Sequence, residues 1–502
     1  MTSGLDSLTL GARPQGPTLL GARWIVGNVD GHHRLYENAE LVFDGGEVVF
    51  VGHDFSGEVA RRIDLGNVLI GPGFVDLDAL SDLDTTVLGL DAQPGWKKGR
   101  VWPQSYVARG PYEMYDAEEL AFQKRYAFAQ LLLNGITTAA PIASLFYREW
   151  GETVAEFDAA AEAAGELGLR VYLGPAYRAG GMVVDARGNL DAVFDEPRGL
   201  HGLKAALDFA ARQDGRHGGL VRGLLAPDRV ETCTERLLRE TAIAAEERNL
   251  PIRLHAAQGA MEVETMQRLH GRSAPRWLAD LGVLSPRLIA PHATHANDAD
   301  LELYRDHGVS IVHCPLVSAR GGGALRSFGK CRAMGINIAM GTDTAPPDMV
   351  MNMSVALMMA RMVEGRADAV SAADVYEAAT LGGARALGRD DIGRLAPGCR
   401  ADFAVFDLAS PRTGPAIDPI RTLIVAGTGS IVKATFVDGR LSMRHGKVAG
   451  IDLDAAQDRA QAQFDRLSAR YPDRTVGHPP VADIFPPSFP LQHKESEDAD
   501  AD

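Results

Sequence analysis

The sequence has few cysteines and no long apolar segment. Only four of its 502 residues are cysteines, and no two form a CxxC pair. This usage predicts a reduced, cytoplasmic protein. No stretch approaches the ~20 apolar residues of a membrane-spanning helix, so no membrane partner is expected. The first residues, MTSGLDSLTLGARPQG, lack a basic stretch followed by an apolar one, and we expect no secretion signal.

An excess of positive charge is also missing. The net charge is −15 and the pI is near 5.4, which argues against a nucleic-acid partner. By contrast, 46% of the residues are hydrophobic, enough for a large packed core. A chain of this length is typical of one large barrel with an accessory unit.

Both ends of the chain have the pattern of antiparallel sheet. The run AELVFDGGEVVFVG contains a hairpin signal at Asp44-Gly45-Gly46, and a second Asp-Gly turn occurs at Asp438-Gly439. We predict one composite β-sandwich from residues 18–67 and 386–450, after an N-terminal extension at 1–17. Residues 451–502 contain a helix, a Pro-rich run expected to dock in extended form, and an acidic tail expected to be disordered.

The middle of the chain, residues 68–385, alternates apolar runs with helical patterns such as Ala117–Asn134, Val154–Leu167 and Glu231–Arg248. Eight buried strands separated by helices predict a (β/α)8 barrel of the TIM type. An open doubly wound sheet is the alternative, but the Gly-rich phosphate turn that usually accompanies it is missing. The runs predicted as strands are 68–75, 136–142, 169–176, 220–227, 251–257, 288–294, 310–316 and 336–343.

Polar residues stand where these runs end, and catalytic residues of such barrels lie at the carboxyl ends of the strands. Histidine and aspartate converging from separate strands are suited to a divalent metal with mixed nitrogen and oxygen ligands. The residues at these positions are Asp76, Asp78, Asp228, His255, Gln258, His292, His295, His313 and Asp343.

Five motifs in this order resemble the amidohydrolase superfamily, in particular its triazine chlorohydrolases and guanine or cytosine deaminase-like enzymes. They are GPGFVDLDAL, PIRLHAAQ, LIAPHATH, HCPLVSA and IAMGTDT. The stretch GRLAPGCRADFAVFDL also matches that family's composite sandwich. The resemblance implies a barrel enzyme, homodimeric or larger, that hydrolyses C–N or C–Cl bonds of small heterocycles through a water activated on one zinc or iron.

The chain departs from the family pattern at four positions. Asp78 and Leu80 replace a His-x-His pair after the first strand, Asp228 replaces a histidine, and Gln258 replaces a glutamate. Leu80 cannot bind a metal, which leaves Asp78, His255 and Asp343 as ligands, with His292 as a fourth or as the residue that orients the water. Such an oxygen-rich set suits zinc, iron or manganese; the absence of any metal is the alternative.

These residues predict the chemistry. Gln258 is neutral and cannot shuttle a proton, so deamination by the usual route is disfavoured. Asp343 is the expected proton acceptor, His292 the residue that holds the water, and Gln258 a residue that orients the substrate through its amide. We therefore predict hydrolysis of a non-peptide C–N bond, or displacement of a halide, in a small N-heterocycle or cyclic amide.

Further residues are candidates for substrate contact. Trp102 is placed to cover an aromatic ring, and Arg178 and Arg320 to meet an anionic group, while Asp228 and His295 face the site from strand ends. Two alternatives stay open: a metal-free lyase or isomerase that uses Asp78, Asp228 and His292, and a catalytically silent binding protein.

Overall fold

The core of the molecule is an eight-stranded parallel sheet. A computed structural model describes residues 4–83 and 101–492. Neighbouring strands follow the order 4-3-2-1-8-7-6-5, so that each strand but the fourth pairs with the next in the chain and the eighth pairs with the first. In chain order the strands are Phe74–Leu80, Ile136–Ile142, Arg170–Leu173, Val221–Gly223, Ile252–Arg253, Leu288–Pro291, Ser310–His313 and Ile338–Met340.

The two outer strands of this sheet, the fourth and the fifth, are joined beyond the end of the fourth. The N–H of Leu225 donates to the carbonyl of Pro251 at 2.9 Å, and the N–H of Arg253 donates to the carbonyl of Leu225 at 2.9 Å. A parallel bridge between Arg229 and His255 continues this contact. These contacts bring the carboxyl ends of the fourth and fifth strands together.

Helices separate the parallel strands, as the sequence predicts. The helix predicted at Val154–Leu167 has the predicted bounds. The helix predicted at Glu231–Arg248 begins instead at Glu235, after a 3-10 turn. Several begin with side-chain caps; Asp116 and Glu119 form a capping box before Ala117. The helices longer than seven residues are Ala117–Leu133, Val154–Leu167, Glu196–Gln213, Glu235–Arg248, Ala260–His270, Asp298–Asp306, Met349–Glu364, Pro419–Ala426 and Leu453–Arg470.

Shorter helices complete the described part of the chain. They are Gln104–Arg109, Arg216–Gly219, Ala274–Asp280, Pro315–Arg320, Phe328–Ala333, Ala372–Glu377, Gly383–Ala386 and Val481–Ile484. No helix among the described residues is both long and apolar enough to cross a membrane.

A second sheet of nine strands is built from both ends of the chain. The predicted turns at Asp44-Gly45-Gly46 and Asp438-Gly439 are both hairpins. The ring of Phe43 lies 5.4 Å from that of Phe403, on a strand three places away, so the sheet curves around its own core. Its strands are Thr18–Val29, His32–Asp44, Glu47–Gly52, Arg61–Asp64, Val68–Pro72, Phe403–Asp407, Val432–Val437, Arg440–Arg444 and Lys447–Val448.

The predicted first barrel strand, residues 68–75, is wrong as a single strand. Val68–Pro72 pairs with Phe403–Asp407 in the nine-stranded sheet, and only the strand Phe74–Leu80 belongs to the parallel sheet. An apolar run carries no information about which sheet it joins, and the change of sheet occurs at Gly73, where a Cβ would collide with Thr137.

The C-terminal segment packs on the first long helix. Arg466 pairs with Glu119, and Arg470 donates to the carbonyl of Met114. Phe485 of the Pro-rich run packs against Tyr471, but Phe489 is exposed. The predicted disordered tail, residues 493–502, lies outside the described residues. A third sheet is small, with strands Trp102–Pro103, Gly180–Val184 and Leu190–Phe194.

Candidate active site

Three of the predicted ligands form a buried cluster. Asp78 lies within the first parallel strand, while His255 and His292 follow the fifth and sixth strands. Their side chains each offer one ligand atom within 4.8 Å of the others. His255 Nε2 lies 3.5 Å from Asp78 Oδ1, and His292 Nε2 lies 3.7 Å from Asp78 Oδ2. The fold thus brings together residues that are up to 214 positions apart in the chain.

The ring of His255 is oriented by the backbone of the neighbouring strand. Its Nδ1 lies 2.9 Å from the carbonyl oxygen of Asp228, which can only accept a hydrogen bond. The Nδ1 atom therefore carries the proton, and the lone pair of Nε2 points toward Asp78. A backbone carbonyl that fixes the tautomer in this way is the usual arrangement behind a metal-binding histidine.

Asp78 is held as a carboxylate inside the protein. Burial would raise its pKa, but the nearby His255, His292 and Arg253 bring that pKa below its usual range. Arg253 is fully buried, and its Nη1 donates to the carbonyl of Ala140 at 2.6 Å. The Oδ1 atom of Asp78 is buried and accepts no hydrogen bond. An unsatisfied buried carboxylate oxygen calls for a cation or a proton beside it.

Asp76 has a structural role. It accepts hydrogen bonds from the N–H of Thr342 at 3.0 Å, the hydroxyl of Thr342 at 2.5 Å and the N–H of Asp78 at 3.2 Å. Burial raises its pKa to about 6. These bonds tie the first parallel strand to the loop after the eighth.

Gln258 is fixed by contacts on every side. Arg229 donates to Oε1, and Nε2 lies 2.9 Å from Nε2 of His292. Because the arginine can only donate, the amide nitrogen faces the histidine, which must accept. Burial lowers the pKa of His292 to about 3, consistent with a neutral ring. Both carboxylate oxygens of Glu262 bind the loop: they accept from the N–H of Ala257 and of Gln258, at 2.6 and 2.7 Å.

Asp343 adjoins the cluster through His292, whose Nε2 is 3.7 Å from Asp343 Oδ2. Both residues have positive φ angles, 45° for Asp343 and 71° for His292, and Ala257 and Ala293 share this conformation. Non-glycine residues pay about 1–3 kcal/mol each for it, and such strain concentrates at functional sites. Left-handed backbone at three strand ends is independent evidence that this region is functional.

A cavity of about 590 Å³ opens at these strand ends. Trp102, Arg178, Asp228 and His295 line it together with His255, Gln258, His292 and Asp343. Arg320 is not among the described lining residues; it is exposed at the end of a short helix, and Gly321, Gly322 and Gly323 reach the cavity instead. A substrate contact at Arg320 stays a prediction from the sequence.

Sequence reasoning missed three residues of the site: Arg229, Glu262 and Arg474. Arg229 and Glu262 hold Gln258. The sequence could have indicated both, because each lies within four residues of a predicted site residue. Arg474 lines the cavity from the C-terminal segment. No sequence pattern places a residue so distant in the chain at this end of the sheet.

The donor set fits a divalent metal ion. Ligands bound at about 2.0–2.2 Å in a tetrahedron lie ~3.4 Å apart, close to the 3.5 and 3.7 Å between these atoms. The unpaired Oδ1 of Asp78 and the lone pair of His255 Nε2 face each other, an arrangement that a cation between them would resolve. Among the described residues, Asp78, His255 and His292 are the group of side chains close enough together to hold a metal ion.

A parallel sheet with histidine and aspartate at the carboxyl ends of its strands is typical of an enzyme with a metal site. Residues 90–442 match the amidohydrolase family. The 5-methylthioadenosine/S-adenosylhomocysteine deaminase of Halobacterium salinarum is 31% identical over 439 residues, 85% of this chain and 93% of that protein. The 5'-deoxyadenosine deaminase of Methanopyrus kandleri is 26% identical over 431 residues, 84% and 93% of the two chains.

Solved structures share the fold. A zinc-bound adenosine deaminase from Xanthomonas campestris has a TM-score of 0.73 at 23% identity and covers 90% of this chain and 98% of its own. A variant of atrazine chlorohydrolase from Arthrobacter aurescens, with zinc and atraton, has a TM-score of 0.73 at 23% identity, covering 89% and 100%. The chain belongs to the amidohydrolase family and is a hydrolase. The resemblance inferred from the motifs is confirmed.

Proposed function

We propose that this enzyme hydrolyses a non-peptide C–N bond, or displaces a halide, in a small N-heterocycle or cyclic amide. The observation that carries the proposal is the cluster of Asp78, His255 and His292 with Asp343 at its edge. Its relatives are named as deaminases of adenosine-type compounds, and a structural neighbour as a chlorohydrolase of a triazine.

Asp78, His255 and Asp343 would hold one zinc, iron or manganese ion, with His292 as a fourth ligand or as the residue that orients the water; the charge of the ion would make a nearby water molecule more acidic. Asp343 is the residue to accept a proton from the attacking water. Gln258 would orient the substrate through its amide. The buried aromatic ring of Trp102 and the side chains of Asp228 and His295 bound the space for the heterocycle.

We further propose that the eight-stranded sheet closes into a (β/α)8 barrel spanning about 74–385, beside a sandwich formed by residues 18–72 and 386–450. The hydrogen bonds at Leu225, which join the fourth and fifth strands, support closure. A homo-oligomeric state and a cytoplasmic location remain predictions from the sequence.

A panel of halogenated triazines, hydantoins and aminopurines tests the function through release of chloride or ammonia and loss of ring absorbance. We expect turnover of at least one class, reduced by roughly 10³-fold in Asp343→Asn. Asp306→Asn, an exposed aspartate at the end of a helix, is the matched control and should keep full activity. Turnover that survives in Asp343→Asn would contradict the assigned role.

A metal-free lyase or isomerase is the second candidate, because Gln258 already engages Nε2 of His292 and two carboxylates lie 3.7 Å from the same atom. Asp78, Asp228 and His292 would then perform the acid–base steps. Turnover by protein stripped of metal, without consumption of water, would favour this candidate over hydrolysis.

A further inference from the structure

Two arginines that line the cavity are buried without hydrogen-bond partners. Arg178 is 7% exposed and Arg474 is fully buried. In the described structure, Nε and Nη2 of Arg178 and all three side-chain nitrogens of Arg474 donate to no acceptor. A buried guanidinium nearly always has its donors satisfied, because each unpaired donor costs free energy. Five unpaired nitrogens at one end of a cavity require an explanation.

The two guanidinium groups share an aromatic frame. The central carbon of Arg178 lies 4.7 Å from the Trp102 ring, and that of Arg474 lies 5.8 Å from the same ring and 5.6 Å from Tyr106. Stacking on an aromatic face leaves the N–H groups in the guanidinium plane free to donate. Trp102 therefore contacts both guanidinium groups without satisfying their donors, and the two groups are close enough for the charge of Arg178 to lower the pKa of Arg474.

Both groups stay charged at neutral pH. Burial lowers the pKa of Arg178 and of Arg474 to about 10, which is still well above 7. Asp228 and Glu231 attract Arg178, and Glu113 attracts Arg474, but none of these carboxylates accepts a hydrogen bond from either arginine. Negative charge thus lies near both arginines, but the N–H groups named above stay without hydrogen-bond acceptors.

Arg474 is delivered to the cavity by the docked C-terminal segment. The helix Leu453–Arg470 is tied to Ala117–Leu133 by ion pairs at Arg459 and Arg466, and Tyr471 packs against Phe485. The arginine follows directly in the 3-10 turn Tyr471–Arg474. Packing on this scale fixes the charge at the cavity wall.

We propose that Arg178 and Arg474 form a subsite for an oxyanion group, a carboxylate or a phosphate, carried by the substrate. Guanidinium forks match the oxygens of either group and pair with them through two parallel hydrogen bonds. The inference rests on the proposed function, since it adds an acidic substituent to the heterocycle. It also explains why the C-terminal segment contributes to the site.

Anion binding is measured by thermal unfolding with sodium phosphate and with sodium acetate, each against sodium chloride at equal ionic strength. We expect a saturable rise in Tm of about 3 °C with one of the two anions. A response to phosphate alone identifies phosphorylated substrates, and a response to acetate alone identifies carboxylates. No rise with either anion would overturn the proposal.

Arg474→Met and Arg178→Met should each raise the apparent Kd of the effective anion by roughly tenfold or more. Arg366→Met, which changes an exposed arginine just after the helix Met349–Glu364, is the matched control and should bind like the parent. Because removal of an unpaired buried charge relieves a penalty, Arg474→Met should unfold at no lower temperature than the parent when no anion is added. An unchanged Kd in both arginine variants would refute the subsite.

The binding readout is independent of turnover. Asp343→Asn should lose activity yet keep the anion-dependent rise in Tm, so failure of the proposed chemistry and failure of the subsite give different results. If anionic and neutral versions of an active heterocycle are compared, the parent should favour the anionic one, and Arg178→Met should reduce that preference by roughly tenfold in kcat/KM.

Discussion

His255 Nε2 faces Asp78 Oδ1 across 3.5 Å, while Nδ1 of His255 donates to the carbonyl of Asp228. In the neutral ring, neither of the two facing atoms carries a hydrogen. Two lone pairs directed at each other in a buried site repel unless a positive charge lies between them. Either a metal ion or a proton on His255 supplies that charge. This pair is therefore the point at which the metal-dependent and metal-free candidates differ.

Purified protein should contain about one divalent metal ion per chain, measured by inductively coupled plasma mass spectrometry. His255→Ala should lose it, because the remaining ligands are too few to retain an ion through purification. His201→Ala, an exposed histidine on the helix Glu196–Gln213, should retain it. Full activity of metal-free parent protein would exclude the metal-assisted chemistry.

Leu80→His should strengthen metal binding by roughly tenfold or more, because Leu80 lines the cavity two residues after Asp78 and contributes no ligand. Competition with a chromogenic chelator measures the change. Val317→His adds the same side chain at another apolar position of the cavity and should leave the affinity unchanged. Equal affinities for Leu80→His and the parent would mean that the side chain at this position cannot reach the ion.

The site could be predicted as far as it depends on strand ends. Asp78 lies two residues before the end of a strand, and His255, His292 and Asp343 follow strands of the same sheet. Parallel strands bring such positions together whatever their separation in sequence. The sheet assignment of residues 68–75 could not be predicted, because periodicity distinguishes strand from helix but does not select between two sheets.

The arginine pair marks the limit of such reasoning. Arg178 follows the third strand and was a candidate for an anionic group, whereas Arg474 reaches the cavity only because the helix Leu453–Arg470 docks on Ala117–Leu133. That docking is a tertiary interaction with no local signature.

Glu262→Gln should destabilise the protein by about 1–3 kcal/mol and lower kcat/KM. Each oxygen of Glu262 accepts a backbone N–H, and a glutamine would turn its NH2 toward one of these donors, releasing the loop that fixes Gln258. Urea denaturation and steady-state kinetics measure the two effects. Glu264→Gln, on the exposed side of the same helix, should be neutral in both. A variant as stable as the parent would show that the loop does not depend on Glu262.

His313 should make stability depend on pH. The side chain is 2% exposed on the seventh parallel strand, and burial lowers its pKa from 6.5 to about 4. Between pH 6.5 and 4, this histidine is protonated in the unfolded chain but stays neutral in the folded protein. Its contribution to the free energy of unfolding is therefore complete above pH 6.5 and falls as the pH decreases toward 4. The loss approaches ~1.4 kcal/mol per pH unit, or about 3 kcal/mol across the window.

The contribution of His313 is isolated by comparing urea unfolding of the parent and of His313→Asn between about pH 7 and pH 5. Because asparagine does not titrate, the free energy of unfolding of the variant should fall less steeply, by about 1 kcal/mol per pH unit in this range. His201→Asn removes an exposed histidine and should keep the parent slope. If the free energy of unfolding has the same pH dependence in the parent and in His313→Asn, then His313 binds its proton as readily in the folded protein as in the unfolded chain, against what its burial predicts.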